Sequence, residues 1–397
     1  MVNWYFSSFN LIVIAIHLAW MSDENTKKRK SDLIHTKSDS ALSLYEDQDA
    51  KRRKTGELVE VDASKNQIQL SGPKRTSSLQ APIMLLQGHK SEIYTVKFSP
   101  TGRELASGSF DKTILLYNVF GDCENYGELR GHNNAVLELV WSHDNKQIYS
   151  ASADKSVMIW DAEYTRRLKR YKEHDSIVNC VSTSINDLIA SGSDDRTVKV
   201  YDHRAKEIVC EIASKHPVLS TCFSQQGDRL FAAGTEGVIR QYDLRKVDGQ
   251  DHALSSSHQL QFQGHADVIT GIALSPDGTQ LLSNSMDDTC RLWDARPFTR
   301  NAQQRNIGIL QGAKHSVDKN MLRCSWSPSG QLVSGGSSDS PACHVYIWEA
   351  RTNRLLYKLP GHKGTVNEVQ FHPKEPIVVS AGSDKCLYLG EIDSNNY

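Results

Sequence analysis

Residues 131–161 read GHNNAVLELVWSHDNKQIYSASADKSVMIWD, and this stretch contains the features that decide the fold. A Gly-His pair is followed by an apolar run, a polar turn and a run of small residues. Asp154 marks a second turn, and another apolar run closes on Trp160-Asp161. Short runs of β-type residues bounded by turn residues predict consecutive β-strands.

The same order of features recurs from residue 81 to the end of the chain. In the stretch above, Asp154 stands seven residues before Asp161, and five other copies keep this spacing. Their turn acids and closing pairs are Asp111 with Tyr117-Asn118, Asp195 with Tyr201-Asp202, Glu236 with Tyr242-Asp243, Asp287 with Trp293-Asp294, and Asp384 with Gly390-Glu391. The sixth copy has about three extra residues between Asp339 and Trp348-Glu349. The chain therefore contains seven repeats.

These repeats resemble those of the WD-repeat family over residues 83–392. The resemblance implies an all-β fold, a seven-bladed WD40 β-propeller spanning residues 81–392, in which each blade is a four-stranded antiparallel sheet. Because each repeat is offset from its blade, the PIMLLQG segment near residue 85 is expected to supply the outer strand of the last blade. Residues 393–397 are a short tail.

In the family, His, Ser or Thr, Asp and Trp side chains form a hydrogen-bonded tetrad within a blade. Matching residues are His132, Asp154 and Trp160 in the second repeat and His265, Asp287 and Trp293 in the fifth. Elsewhere Tyr117, Tyr201 and Tyr242 replace Trp, Glu236 replaces Asp and Gly390 replaces the aromatic residue, so these blades are expected to have fewer hydrogen bonds. Seven copies of one constellation favour a structural role over a single active site.

Other sequence features limit the function classes. Phosphate-loop, HExxH, GxSxG and EF-hand patterns are missing, so neither an enzyme nor a cofactor is predicted. The eight cysteines have no C-x-x-C spacing and are interpreted as free thiols without a metal. A formal net charge of −1 gives no reason to expect the whole molecule to coat nucleic acid or a membrane.

The first 80 residues differ from the repeats. Residues 1–20 form an apolar leader that is too short for a membrane span and has no basic residue before its core, so Met21 is interpreted as the working start. Residues 21–80 are polar and predicted to be a disordered arm. Two basic clusters in it predict nuclear import and a nuclear location: Lys27, Lys28, Arg29 and Lys30, and Lys51, Arg52, Arg53 and Lys54.

The family commonly binds partners on the narrower face of the propeller. Residues matching the family positions that line this face are Tyr94, Phe110, Leu137, Asn179, Asp194, Thr270, Met286, Leu322 and Asn367. Several of them are apolar, which favours a protein-docking patch. The alternative is that several of these side chains pack between the blades.

Segments outside the generic repeat, among them SSLQAPIMLLQGH at 77–89 and NMLRCSWSP at 320–328, are similar to WD-repeat subunits of the spliceosomal U5 particle. The resemblance implies a non-enzymatic scaffold in pre-mRNA splicing. It would dock as a single chain on a Prp8-like splicing factor and other U5 proteins and meet small nuclear RNA through the particle. The alternative is a substrate receptor of a cullin-type ubiquitin ligase, since Trp293-Asp294-Ala295-Arg296 matches the WD-x-R ending of such receptors.

Overall fold

Twenty-eight β-strands and one 3-10 turn, Leu244–Lys246, form the part of the chain that the computed structural model describes. This part comprises residues 75–205, 208–246, 260–299, 305–316, 321–339, 343–393 and 397. The predicted leader, most of the polar arm and both basic clusters lie outside these described residues.

The strands form seven four-stranded antiparallel sheets, one for each predicted blade. From the inner to the outer strand, blade 1 contains β2 (Ile93–Phe98), β3 (Glu104–Ser109), β4 (Thr113–Asn118) and β5 (Asn125–Arg130). Blade 2 contains β6 (Val136–Trp141), β7 (Gln147–Ser152), β8 (Val157–Asp161) and β9 (Arg166–Tyr171). Blade 3 contains β10 (Val178–Thr183), β11 (Leu188–Ser193), β12 (Thr197–Asp202) and β13 (Ile208–Ala213).

The other blades follow the same order. Blade 4 contains β14 (Val218–Phe223), β15 (Arg229–Gly234), β16 (Val238–Asp243) and β17 (Leu260–Gln263). Blade 5 contains β18 (Ile269–Leu274), β19 (Gln280–Ser285), β20 (Thr289–Asp294) and β21 (Asn306–Leu310). Blade 6 contains β22 (Cys324–Trp326), β23 (Leu332–Gly335), β24 (Val345–Glu349) and β25 (Leu355–Leu359).

Blade 7 joins the two ends of the repeat region. Its strands are β26 (Val366–Phe371), β27 (Ile377–Gly382), β28 (Cys386–Glu391) and, as the outer strand, β1 (Ile83–Gln87). The register pairs Ile83 with Gly390 and Gln87 with Cys386. The seven-bladed propeller and the offset of its last blade are thus confirmed, and pairing β1 with β28 closes the ring.

The hydrophobic core consists of seven clusters, each shared by two neighbouring blades. One cluster, for example, joins Leu116 of blade 1 to Val136 and Trp160 of blade 2. Middle strands such as β7 are buried along almost their whole length because both faces of each sheet contact another blade. A blade therefore depends on its neighbours for most of its apolar burial.

The sequence boundary of the arm needs a correction at residues 75–80. Arg75 forms an ion pair with Glu391 at 2.7 Å, and the Ser77 hydroxyl donates to the same carboxylate at 2.6 Å. The Ser78 amide donates to Glu375 at 2.7 Å, and the Leu79 side chain is buried in a core cluster. Residues 75–80 are predicted to belong to the polar arm, but they contact blade 7 because they carry partners for two half-buried carboxylates and one apolar anchor.

Candidate functional site

In blade 2, the predicted residues His132, Asp154 and Trp160 form one hydrogen-bonded network with Ser150. The Trp160 indole N–H donates to the Ser150 hydroxyl at 2.8 Å, and Ser150 lies 2.7 Å from Nε2 of His132. Nδ1 of His132 lies 3.1 Å from Asp154, so the carboxylate accepts the Nδ1 proton and Nε2 accepts from the serine hydroxyl. Ser150 is fully buried, which leaves this Ser-His-Asp set without access for a substrate.

The Asp154 carboxylate also orders the turn on either side of the network. It accepts hydrogen bonds from the backbone amides of Asn133, at the entrance to the blade, and of Ser156, in the turn between β7 and β8. Burial alone would raise its pKa, but the hydrogen bonds from His132 and Ser156 outweigh burial and hold the pKa of Asp154 well below its usual range. The ionised carboxylate is therefore part of the folded structure.

The same His-Ser-Asp arrangement occurs in four more blades. In blade 5, His265 lies 2.8 Å from Asp287 and 2.7 Å from the Ser283 hydroxyl, and the Trp293 indole donates to that hydroxyl at 2.8 Å. The sets in blades 1, 3 and 7 are His89, Ser107 and Asp111, then His174, Ser191 and Asp195, then His362, Ser380 and Asp384. The pKa of each of these aspartates is also held low against the effect of burial.

Replacement of the closing tryptophan has different consequences in different blades. In blade 3, burial raises the pKa of Tyr201, and the contact of its hydroxyl with Ser191 opposes this effect only in part. In blade 7, Gly390 leaves open space at the aromatic position, and Tyr388 packs on His362 with ring centroids 4.7 Å apart. Tyr388 points to the same side of the strand as residue 390, because side chains two residues apart share a face.

Blade 4 has a different arrangement from the five blades with the network. Ala232 takes the place of the network serine, and Ser214 stands four residues before the inner strand, where those five blades have histidine. His216 is exposed, and Glu236 accepts a hydrogen bond from Arg240 at 2.6 Å. An ion pair therefore replaces the histidine network in this blade.

Blade 6 also differs. Ala313 follows Gly312 in the place of the network histidine, and the Trp348 indole donates to the backbone carbonyl of Gln311 at 3.0 Å. The Ser334 hydroxyl lies 2.8 Å from that of Ser325. Blade 6 therefore keeps a buried tryptophan, but the indole N–H donates to a backbone carbonyl and not to a serine hydroxyl.

The central channel contains a functional candidate that the sequence analysis missed, Arg323. It is 4% exposed, at the position after Leu322, and its guanidinium donates to three backbone carbonyls. These are Asn179 of blade 3 at 2.8 Å, Leu219 of blade 4 at 2.9 Å and Thr270 of blade 5 at 3.0 Å. The side chain starts in blade 6 and therefore crosses the channel. A single arginine within a strand-like apolar run, LRCSW, was the available sequence signal.

Acidic side chains accompany Arg323 in the channel. Glu138 of blade 2 lies 3.6 Å from its guanidinium and accepts from the Val181 amide at 3.1 Å. Burial raises the pKa of Glu138, although Arg323 opposes this effect. On the other side, Glu368 accepts from Lys97 and from the Val96 amide. A register shift in each of these inner strands leaves the glutamates facing the next blade.

The predicted partner-binding face separates into two groups. Five side chains are half-buried and reach the surface: Tyr94, Phe110, Leu137, Asp194 and Met286. The Tyr94 and Phe110 rings meet edge to face, with centroids 6.4 Å apart. The other four, Asn179, Thr270, Leu322 and Asn367, are buried.

The buried group has structural partners between blades. The Thr270 hydroxyl donates to the Leu322 carbonyl at 2.8 Å, and the Asn367 amide donates to the Ile93 carbonyl at 2.7 Å. The Asn179 amide donates to the Val218 carbonyl of blade 4 at 3.0 Å and to Asp194 of its own blade at 2.6 Å. These four positions are therefore corrected to blade packing, because three of them satisfy backbone groups at the register shifts of the inner strands and the Leu322 side chain is buried.

The residue that suggested a ligase receptor, Arg296, makes a local contact. Its guanidinium donates to Asp294 at 2.9 and 2.6 Å. The same local pair joins Arg204 to Asp202 and Arg245 to Asp243. The WD-x-R ending thus has a role within the turn that does not require a partner.

No group of three or more His, Cys, Asp or Glu side chains in the described ranges is arranged to hold a metal ion. The eight cysteines are free thiols, and burial raises the pKa of Cys180 to about 12. Within the same ranges, no helix has the length and hydropathy that a membrane span requires.

Comparison with known families agrees with the repeat pattern. The family described as "WD domain, G-beta repeat" matches residues 80–118, 123–161, 165–202, 256–294 and 353–389. These segments correspond to the repeats of blades 1, 2, 3, 5 and 7, the five blades with the His-Ser-Asp network. The departures in blades 4 and 6 are thus visible in the sequence as well as in the structure.

Relatives match far more than single repeats. The chain is 47% identical over 324 residues to the human U5 small nuclear ribonucleoprotein 40 kDa protein, covering 81% of this chain and 87% of that protein. It is 43% identical over 371 residues to the Dictyostelium discoideum protein of the same name, and the match covers 93% of this chain and 99% of that protein. It is 41% identical to the pre-mRNA-splicing factor cwf17 of Schizosaccharomyces pombe, and the match covers 81% of this chain and 90% of that protein. With this identity across nearly the whole propeller, the chain belongs to the WD-repeat family, in the group of the U5 small nuclear ribonucleoprotein 40 kDa proteins.

Proposed function

We propose that this chain is a non-enzymatic scaffold of the spliceosome, a component of the U5 small nuclear ribonucleoprotein that acts in pre-mRNA splicing. The observation that carries the proposal is the 43% identity to a U5 40 kDa protein across 93% of this chain. The buried His-Ser-Asp networks support a structural role for the residues that most resemble catalytic groups. The three relatives named above are splicing proteins by name and give no support to the ligase interpretation.

The finer part of the proposal is a docking contact with a Prp8-like splicing factor through the narrower face. Tyr94, Phe110 and Leu137 come from neighbouring blades 1 and 2 and offer an apolar patch, while Met286 lies on blade 5. Partly exposed aromatic and methionine side chains are frequent anchors of protein interfaces. Asp194 adds a carboxylate whose pKa is raised by burial.

Affinity purification of the tagged full chain from nuclear extract tests the scaffold proposal. We expect U5 RNA and a Prp8-like protein in near-equal amounts with the tagged chain. Recovery of cullin-ligase subunits without small nuclear RNA would contradict the proposal and return attention to Arg296.

Substitutions on the narrower face separate docking from folding. Phe110→Asp combined with Met286→Asp is expected to reduce recovery of the Prp8-like protein while the circular dichroism spectrum stays unchanged. The matched control is Ile185→Asp, because Ile185 is 62% exposed in a turn at the opposite end of its blade. Equal recovery from both variants would exclude this face as the docking site.

Nuclear import by the two basic clusters is a separate proposal, since residues 27–30 and 51–54 lie outside the described residues. Its support is the pair of four-residue basic runs and the splicing names of the relatives. A fluorescent fusion with both clusters changed to alanine should lose its nuclear enrichment. Unchanged enrichment would show that import depends on another segment or on a partner.

A further inference from the structure

The outer strand of blade 2 differs in charge from the other six outer strands. β9 reads RRLKRY and contains four cations and no acid. β1, β17 and β21 have no charged residue, β5 has one of each sign, β13 has one acid and β25 has one lysine. On a chain with a formal net charge of −1, this concentration of positive charge is local.

The cations of this strand divide into two groups by their contacts. Arg170 donates to Asp154 of its own blade at 3.0 Å and Lys169 donates to the Ala205 carbonyl of blade 3 at 2.5 Å, so both have structural partners. Arg166 and Arg167 are exposed, as is Lys172 directly after the strand. Arg166 reaches Asp161 only at 3.7 Å, with 66% of its side chain exposed. Three exposed cations therefore lie on this outer strand or directly after it.

An exposed aromatic residue stands at the start of the same edge. Tyr164, in the turn between β8 and β9, is 65% exposed, and the Arg166 guanidinium lies 5.3 Å from its ring centroid. The guanidinium covers one face of the ring, and because the residue is 65% exposed the opposite face is open for stacking. An aromatic face beside a row of cations is the arrangement by which proteins bind single-stranded nucleic acid.

We propose that Tyr164, Arg166, Arg167 and Lys172, here called the basic strip, bind single-stranded RNA directly. The three cations would contact phosphates, and the tyrosine ring would stack on a base. RNA is favoured over an acidic peptide because carboxylates account for the cations but offer no flat group to stack on the open face of the Tyr164 ring. The contact is independent of base sequence, since phosphate and stacking contacts read no base edge.

Fluorescence anisotropy of the purified full chain with a labelled oligouridylate, over a series of salt concentrations, tests the proposal. Changing Arg166, Arg167 and Lys172 to Gln should weaken binding and reduce the slope of log K against log salt by about 2, since each phosphate contact on a single strand contributes about 0.7. The matched control changes Arg351, Arg354 and Lys358 to Gln. These three are exposed cations of the corresponding hairpin of blade 6. An equal loss in both variants, or no loss in the strip variant, would overturn the proposal.

The stacking contact gives a second readout. Tyr164→Ala should weaken RNA binding by about fivefold or more and leave the salt slope unchanged, since it removes stacking but no charge. Polyglutamate is then tested as a competitor. If it displaces the RNA as well as unlabelled oligouridylate does, the strip is a site for acidic protein segments and the RNA assignment is wrong. These measurements need only protein and RNA, so their failure leaves the purification test of the scaffold untouched.

Discussion

Ser150 connects three side chains of blade 2, because it accepts from the Trp160 indole and donates to the His132 imidazole, which in turn donates to Asp154. Each of these polar groups is buried or nearly so. A buried polar group that loses its partner costs more than the hydrogen bond itself contributes. At the scale of the residue, the networks of blades 2 and 5 stabilise the fold because their His, Ser, Asp and Trp side chains satisfy one another.

Ser150→Ala should lower the free energy of unfolding by about 1–3 kcal/mol, since the indole N–H and the imidazole Nε2 both lose their partner. Urea denaturation followed by tryptophan fluorescence measures the change. Ser334→Ala is the control, because this serine of blade 6 bonds to the Ser325 hydroxyl and not to a histidine. A loss in the control as large as in Ser150→Ala would show that the networks add nothing to ordinary serine burial.

Arg323→Met should destabilise the propeller by about 3–5 kcal/mol, because it removes three contacts to backbone carbonyls and leaves Glu138 without its cation. Arg323→Lys keeps the charge but has no planar fork, so we expect a smaller loss. The double variant Arg323→Met with Glu138→Gln should recover part of the stability. Additive losses in a double-mutant cycle would contradict the coupling.

At the scale of the element, blades have the same four strands but differ in how their turns are held. In blade 2, Asp154 accepts two backbone amides and thereby joins the entry loop to the turn between the middle strands. Blade 4 has no such junction within its described residues, because Ala232 and Ser214 replace the serine and histidine. Local stability should therefore vary around the ring.

Hydrogen exchange measures this variation directly. Amides of β15 in blade 4 should exchange faster than those of β7 in blade 2, although both are middle strands with the same burial pattern. The His265→Ala variant should raise the exchange rates of the β19 and β20 amides in blade 5 toward those of blade 4. Equal rates in blades 2 and 4 of the unchanged protein would show that the ring opens only as a whole.

Truncation tests the contribution of the amino-terminal elements. A chain begun at Arg75 should match the full chain in thermal stability, because it keeps every contact to Glu391 and Glu375. A chain begun at Gly88 lacks β1, leaves β28 as an open edge and should aggregate on light scattering. A chain begun at Ile83 keeps β1 but lacks the contacts that residues 75–79 make with blade 7. We expect this chain to form a folded but less stable propeller. Full stability of the Gly88 chain would show that β1 is dispensable.

At the scale of the whole molecule, five aspartates make the stability of the propeller depend on pH. Asp111, Asp154, Asp195, Asp287 and Asp384 all have a pKa held below the usual value in the folded state. An acid with a lowered folded pKa binds protons more readily when unfolded, so its contribution is complete above the unfolded pKa of about 4 and is lost as the pH falls further. Glu138, whose pKa is raised, acts in the opposite direction.

The urea midpoint should thus be nearly constant from neutral pH down to about pH 5 and fall steeply below about pH 4. Asp154→Asn should lower the midpoint at neutral pH and flatten the decline in acid, since one of the five titrating groups is removed. Glu163→Gln, an exposed acid in the following turn, is the control and should leave the curve unchanged. An Asp154→Asn curve parallel to that of the unchanged protein would contradict the assignment.

The seven repeats could be found because a spacing of seven residues joins the turn acid to the closing position in six of them. The blades, the offset last strand and the network residues of blades 2 and 5 then followed from the resemblance to the WD-repeat family. Such spacings are local and survive in one sequence without an alignment. The channel could not be predicted in this way. Arg323 binds carbonyls that lie 53, 104 and 144 residues away, and its contacts exist only once the ring is closed. For the same reason Leu322 was placed on the face and Arg323 was overlooked.

The pairing of β1 with β28 sets the order of events during synthesis on the ribosome. β1 is the first strand of the propeller to leave the exit tunnel, and its partner β28 is the last. At roughly 5–20 residues per second, the roughly 300 residues between them take roughly 15 to 60 seconds to translate. Throughout this time β1, with Ile83 and Leu85 exposed even in the finished ring, remains an unpaired apolar segment. The nascent chain therefore carries an unpaired apolar strand until translation is complete.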